Sequence, residues 1–445
     1  MTNTFIIAFC ALILLAYVFD LTTSKTKIPS VILLLFLGWG VNQLTALFNI
    51  EFPNLEPLLP ILGTIGLIVI VLEGTLDLEL NKSKLPLIRK SFVVALIPMM
   101  ILGFILAGAF YYYQIHFGDG TVEPDFRKNL INAIPLTVIS SSVAIPSAIN
   151  LTKKDKEFVT YESSLSDILG VLFFDFIFRN VTIDFNSLWI FLLQLLIIAA
   201  VSLIATIGLS FLLGKIKHQI KFVPIIILII LIYTVSKIYH LPALIFIMLF
   251  GLILGNLNQL NRIRFIARFQ PDRLVPEVKK FHEILAEGTF LVRAMFFLLF
   301  GFLIKTEHLL NQQTFLWAMG IVAFIFIIRY LQLKITRLPV KPLMFVAPRG
   351  LITILLFLYI SSSDRIDLMN RPLLIQVILL TVLIMMFGLM LGNKKDALEL
   401  FGARWNGTVH KHDEAGGKFA DLKVKEGYVS TQESDSPEGS IDSEE

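Results

Sequence analysis

Thr160-Tyr161-Glu162-Ser163-Ser164-Leu165-Ser166-Asp167-Ile168-Leu169-Gly170 lies inside an otherwise apolar segment that runs on through Val171-Leu172-Phe173-Phe174. Two carboxylates in such a run are expensive at membrane depth, where insertion scales put an Asp at a helix centre at about +2.5 to +3.5 kcal/mol. An acid so placed is a functional candidate by default, provided it faces protein or water. At about 100° per residue, Glu162 and Asp167 lie roughly 140° apart on a helix and face different neighbours. Ser163 and Ser164 precede Asp167 by four and three residues and share its face. Oxygen-only surroundings suit a hard cation or a proton rather than a soft metal. The serines alone suit close packing of two membrane helices equally well.

Outward from this stretch the chain stays apolar. Of its 445 residues 56% are hydrophobic and 16% charged, and the mean hydropathy is +0.78. A soluble domain carries about a quarter charged residues, so the composition indicates a polytopic membrane protein. Thirteen apolar runs fall at about 5–19, 28–46, 57–76, 91–113, 130–150, 158–178, 187–213, 220–238, 242–255, 285–304, 315–334, 342–361 and 371–391. Several are shorter than the roughly 20 residues that a straight crossing needs. Those helices are therefore expected to extend further or to be broken. The first run lacks a basic leader and a small-residue cleavage pattern, so Phe5–Phe19 is expected to be a retained helix.

The single Cys10 excludes a disulfide framework within one chain and a Cys-rich metal site. No cofactor, zinc motif or nucleic-acid partner is expected. The net charge of +4 is uneven: residues 393–445 hold seven Lys/Arg against twelve Asp/Glu, a balance of −5, which leaves +9 on the rest. This divides the chain into a membrane domain, 1–392, and a tail, 393–445, expected to be cytoplasmic and disordered from Tyr428 onward.

Every second loop is basic: around Lys82 to Lys90, Lys153-Lys154, Lys215 to Lys221, Arg262 to Lys280, and Lys334 to Arg337. Cytoplasmic loops carry such an excess. The alternation predicts an external N-terminus and a cytoplasmic C-terminus, as an odd number of spans requires. A bacterial inner membrane is the expected location. The long basic loop Asn256–Glu283 reads either as an amphipathic surface segment or as a solvated linker.

Two spans look interrupted. In the fifth, Pro135 and Pro146 bracket Thr137-Val138-Ile139-Ser140-Ser141-Ser142; in the twelfth, Ala347-Pro348-Arg349-Gly350 cuts an apolar run. Proline removes a backbone donor. The groups it frees at membrane depth must be buried in protein or line a cavity. Broken helices at corresponding places in two halves point to an inverted-repeat transporter with its site near the midplane. Asp167 lies on the helix after the first break. Arg349 can either repel cations from an empty site or satisfy loose carbonyls. Asp175 and Arg179, spaced i, i+4, are expected to pair near the helix end. Arg293, at the start of the tenth run, reads ambiguously, with an interfacial position among its options.

These residues resemble the monovalent cation:proton antiporter superfamily, sodium/proton exchanger type. Glu162-Ser163-Ser164-Leu165-Ser166-Asp167 is similar to its Glu-Ser-x-x-Asn-Asp motif on the sixth helix. Arg329 matches its eleventh-helix arginine, and Pro348-Arg349-Gly350-Leu351 is similar to its Arg-Gly signature on the broken twelfth helix. Glu73-Gly74-Thr75-Leu76 resembles its third-helix Glu-Gly-x-Leu more weakly. Ser166 stands where the family usually has Asn or Asp. Ser140-Ser141-Ser142 stands where it has Thr-Asp-Pro, so one family acid is replaced.

The resemblance implies an all-α membrane protein of about 13 helices, with discontinuous helices 5 and 12 and a homodimeric scaffold. It implies exchange of Na+ or K+ for protons at Asp167, with Ser163, Ser164, Ser166, Ser140 and Ser141 around the ion and Glu162–Arg329 as a structural ion pair. With one titrating acid left, exchange of one cation for one proton is electroneutral. The reading requires Asp167 to be reachable by water from each side in turn. A non-transporting membrane sensor or scaffold, and a channel, remain as rivals. An intramembrane enzyme lacks any His-Glu-x-x-His or Gly-x-Ser-x-Gly motif.

Overall fold

A computed structural model describes residues 2–26, 28–49, 54–81, 83–117, 123–180, 184–215, 222–239, 241, 243–257 and 271–409. The chain forms two compact units, Met1–Asn393 and Lys394–Glu445. Of the second, the described part is the helical stretch to Val409. The tail from Tyr428, expected to be disordered, lies outside the described residues.

The described residues are helical, with no strand among them. The helices are α1 (Thr2–Thr26), α2 (Ser30–Leu47), α3 (Leu58–Leu76), α4 (Leu85–Phe117), α5 (Phe126–Ala133), α6 (Ser141–Ser147) and α7 (Lys153–Arg179). They continue as α8 (Phe185–Lys215), α9 (Phe222–Ile238), α10 (Ala243–Gly255), α11 (Pro271–Phe302), α12 (Thr306–Leu309), α13 (Gln312–Ile335), α14 (Leu351–Tyr359) and α15 (Arg371–Val409). Nine stretches among the described residues are long and apolar enough to cross a membrane. Beside them stand the polar helix α7, the short apolar helices α9 and α10, and the interrupted segment that ends in α14, in keeping with about thirteen helical segments.

The short first run extends to the 25 residues of α1, while the short runs at 220–238 and 242–255 stay short as α9 and α10. The fourth run extends to the 33 residues of α4, about 50 Å at about 1.5 Å per residue. The tenth run extends backwards to Pro271, so the second half of the expected loop Asn256–Glu283 is helix instead. Residues 258–270 of that loop lie outside the described residues.

Burial sorts the helices by position. The windows of α1 and α8 are 11% buried, whereas the interrupted span Phe126–Asn150 is 89% buried. The first two are peripheral and the last is central. Gly38 on α2 and Gly301 on α11 let those backbones touch: a Cβ on either would collide with the main chain of the other helix. α11 also packs on α3, and α10 packs on α3 and α8, while α4 packs on α5, α7 and α13.

Caps fix the ends of α7. Thr152 accepts from the Asp155 amide at 3.2 Å and donates to its carboxylate at 2.8 Å, closing the first turn. At the other end Arg127 of α5 donates to the carbonyls of Ile177, Phe178 and Asn180 at 3.1, 2.6 and 2.9 Å. These are carbonyls that a helix C-terminus leaves without partners. Asn132 of α5 bonds both sides of the loop after α14, through Asp364 O at 2.7 Å and Ile366 N at 3.4 Å.

Candidate functional site: the crossing of two interrupted helices

The first interruption begins as a 3-10 turn, Ile134–Leu136, and the backbone from Thr137 to Ser140 is not helical until α6 starts at Ser141. Pro146 lies inside α6, past the break, rather than at it. The interruption is therefore bounded by Pro135 and by the serines. The second interruption runs from Val346 to Gly350, preceded only by the 3-10 turn Leu343–Phe345.

The two unwound stretches cross. The Ser140 amide donates to Pro348 O at 3.0 Å. Arg349, 2% exposed, donates from Nε to Leu136 O at 2.6 Å and from Nη1 to Ala347 O at 3.1 Å. Its amide donates to Thr381 Oγ1 of α15 at 3.2 Å. Of its two expected roles, satisfying loose carbonyls is the one visible in the geometry. Gly350 is required at the contact: a Cβ there would collide with Ser140 Oγ and Val143. The Ile139 amide donates to Ser166 Oγ of α7 at 2.9 Å. Peptide groups freed by the breaks thus find partners, as they must at membrane depth.

Asp167 sits beside this crossing, 2% exposed. Its Oδ2 accepts from the Ser141 amide at 3.0 Å and from Ser141 Oγ. Its Oδ1 is buried with no hydrogen-bond partner. Ser164, three residues back on the same face, also has a buried Oγ without a partner. It faces α3, where a methyl on Gly74 would sit 3.5 Å from that oxygen. The Asp167 side chain is closed to solvent, with Ser141 as its hydrogen-bonding neighbour.

The other serines are engaged elsewhere. Ser163 Oγ donates to Val159 O in its own helix at 2.7 Å. Ser140 Oγ shares a hydrogen bond of 2.9 Å with Ser142 Oγ. Ser141 is therefore the hydroxyl placed on Asp167; Ser140, Ser163 and Ser166 are held by the fold, and Ser164 faces α3.

On the opposite face of α7, Glu162 meets Arg329 of α13 in a bidentate pair, Nη2 to Oε2 at 2.8 Å and Nη1 to Oε1, with exposures of 1% and 2% respectively. Arg329 Nε also donates to Leu343 O at 3.2 Å, next to the second interruption. Gln332 joins the pair, donating to Glu162 Oε1 at 3.1 Å and to Val94 O at 2.9 Å. The sequence reading missed Gln332, although a polar residue three positions after Arg329 in an apolar run marks the same face. It also missed Thr381.

Two further charges differ from or extend the sequence reading. Arg293 lies within α11, 3.4 Å from Asp20 of α1. Asp175 and Arg179 pair at 2.7 Å.

Crossed unwound segments beside a buried carboxylate are the arrangement of a secondary transporter, in which irregular backbone is used to hold an ion. The family model for the transmembrane sodium/hydrogen exchanger matches residues 10–393. The chain belongs to that family, whose members exchange cations for protons and are not enzymes. Its fold is similar to that of the sodium proton antiporter MjNhaP1 from Methanocaldococcus jannaschii, in a structure at pH 8: TM-score 0.61, 18% identity, 87% of this chain and 100% of that one covered. An electron-microscopy structure of the same antiporter gives a TM-score of 0.60 at 18% identity, covering 94% and 100% of the two chains. No curated protein matches the chain.

Proposed function

We propose that the protein exchanges one monovalent cation, Na+ or K+, for one proton, with Asp167 as the group that binds each in turn. The observation that carries this reading is the Asp167 carboxylate itself: one oxygen is held by Ser141 and the other is buried without a donor. A buried polar atom without a partner calls for an explanation, and an oxygen that must accept either a proton or a cation supplies one. Proton and cation compete because burial favours the neutral carboxyl and a bound cation favours the ionised one. Ser141 and Ser164 supply further oxygens suited to a hard ion.

With serine at positions 141 and 166, a single titrating acid carries the exchange, so the cycle is electroneutral. In our reading the interrupted helices and α7 move as a body against α1–α3 and α8–α11, exposing Asp167 to one side and then the other; rocking of one bundle against another is the common route. The N-terminus lies outside and the C-terminus in the cytoplasm of a bacterial inner membrane, and the α1–α3 and α8–α11 group forms a homodimer.

A series of Na+ and K+ concentrations at several pH values, read with a pH-sensitive dye in everted vesicles, tests the reading. Saturable dequenching by at least one of the two cations, competed by protons, is the expected result. No flux at any pH, with a cation-dependent gain in thermal stability, would identify a sensor instead. Single-channel currents would identify a channel.

A further inference from the structure

A cavity of about 190 Å³ separates α3, α9 and α10 from α7 and α14. It lies where α7 and α9 end, with Arg179 and Lys237 in their last turns. Its walls are largely apolar, including Leu172, Leu244 and Leu355, and its charged groups are Asp175, Arg179 and Lys237. Two cations thus face one acid. Arg179 Nε is spent on Asp175, but Arg179 Nη1 is buried with no partner. Lys237 Nζ lies 4.6 Å from the centroid of the Tyr359 ring. It is held by a π face, which leaves its N–H donors free for an acceptor.

We propose that this cavity binds an amphiphile with a phosphate headgroup, its oxyanion between Arg179 and Lys237 and its apolar part against Leu172, Leu244 and Leu355. The donors select the headgroup. An oxyanion accepts from a guanidinium and an ammonium together and gives the unpartnered nitrogen an acceptor. A cation would meet net positive charge, and a neutral molecule would leave the guanidinium unsatisfied. The volume agrees: at about 30 Å³ of liquid volume per water it is roughly six waters, enough for a headgroup and a few methylenes. The source is either a membrane phospholipid or a soluble alkyl phosphate.

Thermal unfolding of the full-length protein in detergent, with octyl phosphate, octanol or inorganic phosphate added, tests the site without reference to transport. Octyl phosphate is expected to raise Tm saturably, and octanol and inorganic phosphate to leave it unchanged. Lys237→Gln is expected to raise the half-saturating concentration about tenfold, the worth of one charge-assisted hydrogen bond, and Lys237→Arg to retain binding. Mixed micelles with phosphatidylglycerol or with phosphatidylcholine distinguish the sources. A Lys237-dependent rise with phosphatidylglycerol identifies a lipid, and a rise with octyl phosphate alone identifies a soluble amphiphile. Equal shifts from octanol or from inorganic phosphate, or unchanged binding in Lys237→Gln, would overturn the proposal; the octanol and phosphate comparisons need only the wild-type chain.

Discussion

The amide of Ser140 donates to the carbonyl of Pro348 at 3.0 Å, so the unwound stretch of one interrupted helix is hydrogen-bonded to the unwound stretch of the other. Arg349 adds a second tie, reaching Leu136 O from the next residue along. The backbone on which Ser141 stands is therefore fixed by residues more than 200 positions away in the chain, and Ser141 in turn holds the Asp167 carboxylate. The geometry of the carboxylate depends on the integrity of the crossing.

Arg349→Leu removes the donors to Leu136 O and Ala347 O. Each buried carbonyl left without a partner costs about 1–3 kcal/mol. The variant is expected to lose yield and thermal stability before any effect on cation preference can be measured. Arg349→Lys, with one point donor in place of a planar fork, is expected to recover only part. Wild-type unfolding of Arg349→Leu would mean that the crossing does not need this side chain.

Arg329→Ala leaves Glu162 buried with only Gln332 as a side-chain donor. Breaking a buried pair by removing one partner typically costs about 3–5 kcal/mol, so this change is expected to harm folding more than selectivity. Gln332→Leu is expected to cost less, about the 1 kcal/mol of an ordinary hydrogen bond. Detergent-extracted yield and thermal unfolding read both, and unimpaired values for Arg329→Ala would argue against a structural role for the pair.

Ser141→Ala keeps the amide that holds Asp167 Oδ2 and removes the hydroxyl. The protein is expected to fold and to exchange, with KM for the cation raised about threefold to tenfold, the worth of one hydrogen-bonding oxygen. Ser163→Ala, whose hydroxyl is spent on its own helix, is expected to leave KM unchanged. Equal effects of the two substitutions would show that Ser141 has no special place at the site.

Electroneutral exchange predicts that a membrane potential imposed across proteoliposomes, by a potassium gradient with valinomycin for the Na+ reaction, leaves the rate unchanged. A rate that follows the sign of the potential would require a second charge in the cycle.

The length of the apolar runs made an all-helical membrane fold legible, because hydropathy is read residue by residue. The polar stretch Glu162–Asp167 was legible for a related reason: acids are scarce in apolar runs, and their 140° separation already assigned them different neighbours. Which serine meets Asp167 was not legible. Ser163, Ser164, Ser140 and Ser141 are equally polar in the sequence. Only the fold shows that the Ser163 hydroxyl bonds back to Val159 and that the Ser140 hydroxyl is taken up by Ser142. Pro146 misled for a similar reason. A proline marks a weak place in a helix, but the break fell where Arg349 and Ser166 could satisfy the freed peptide groups. The partner of Arg293 was not legible either, because Asp20 is 273 residues away.

The most direct test of the central claim is Asp167→Asn, which keeps the shape of the side chain and removes its ability to carry a proton or a cation charge. In everted vesicles with a pH-sensitive dye, the account predicts no dequenching on addition of Na+ or K+ at any pH, from a protein that is present at wild-type yield and unfolds at an unaltered temperature. Dequenching retained in that variant would contradict it.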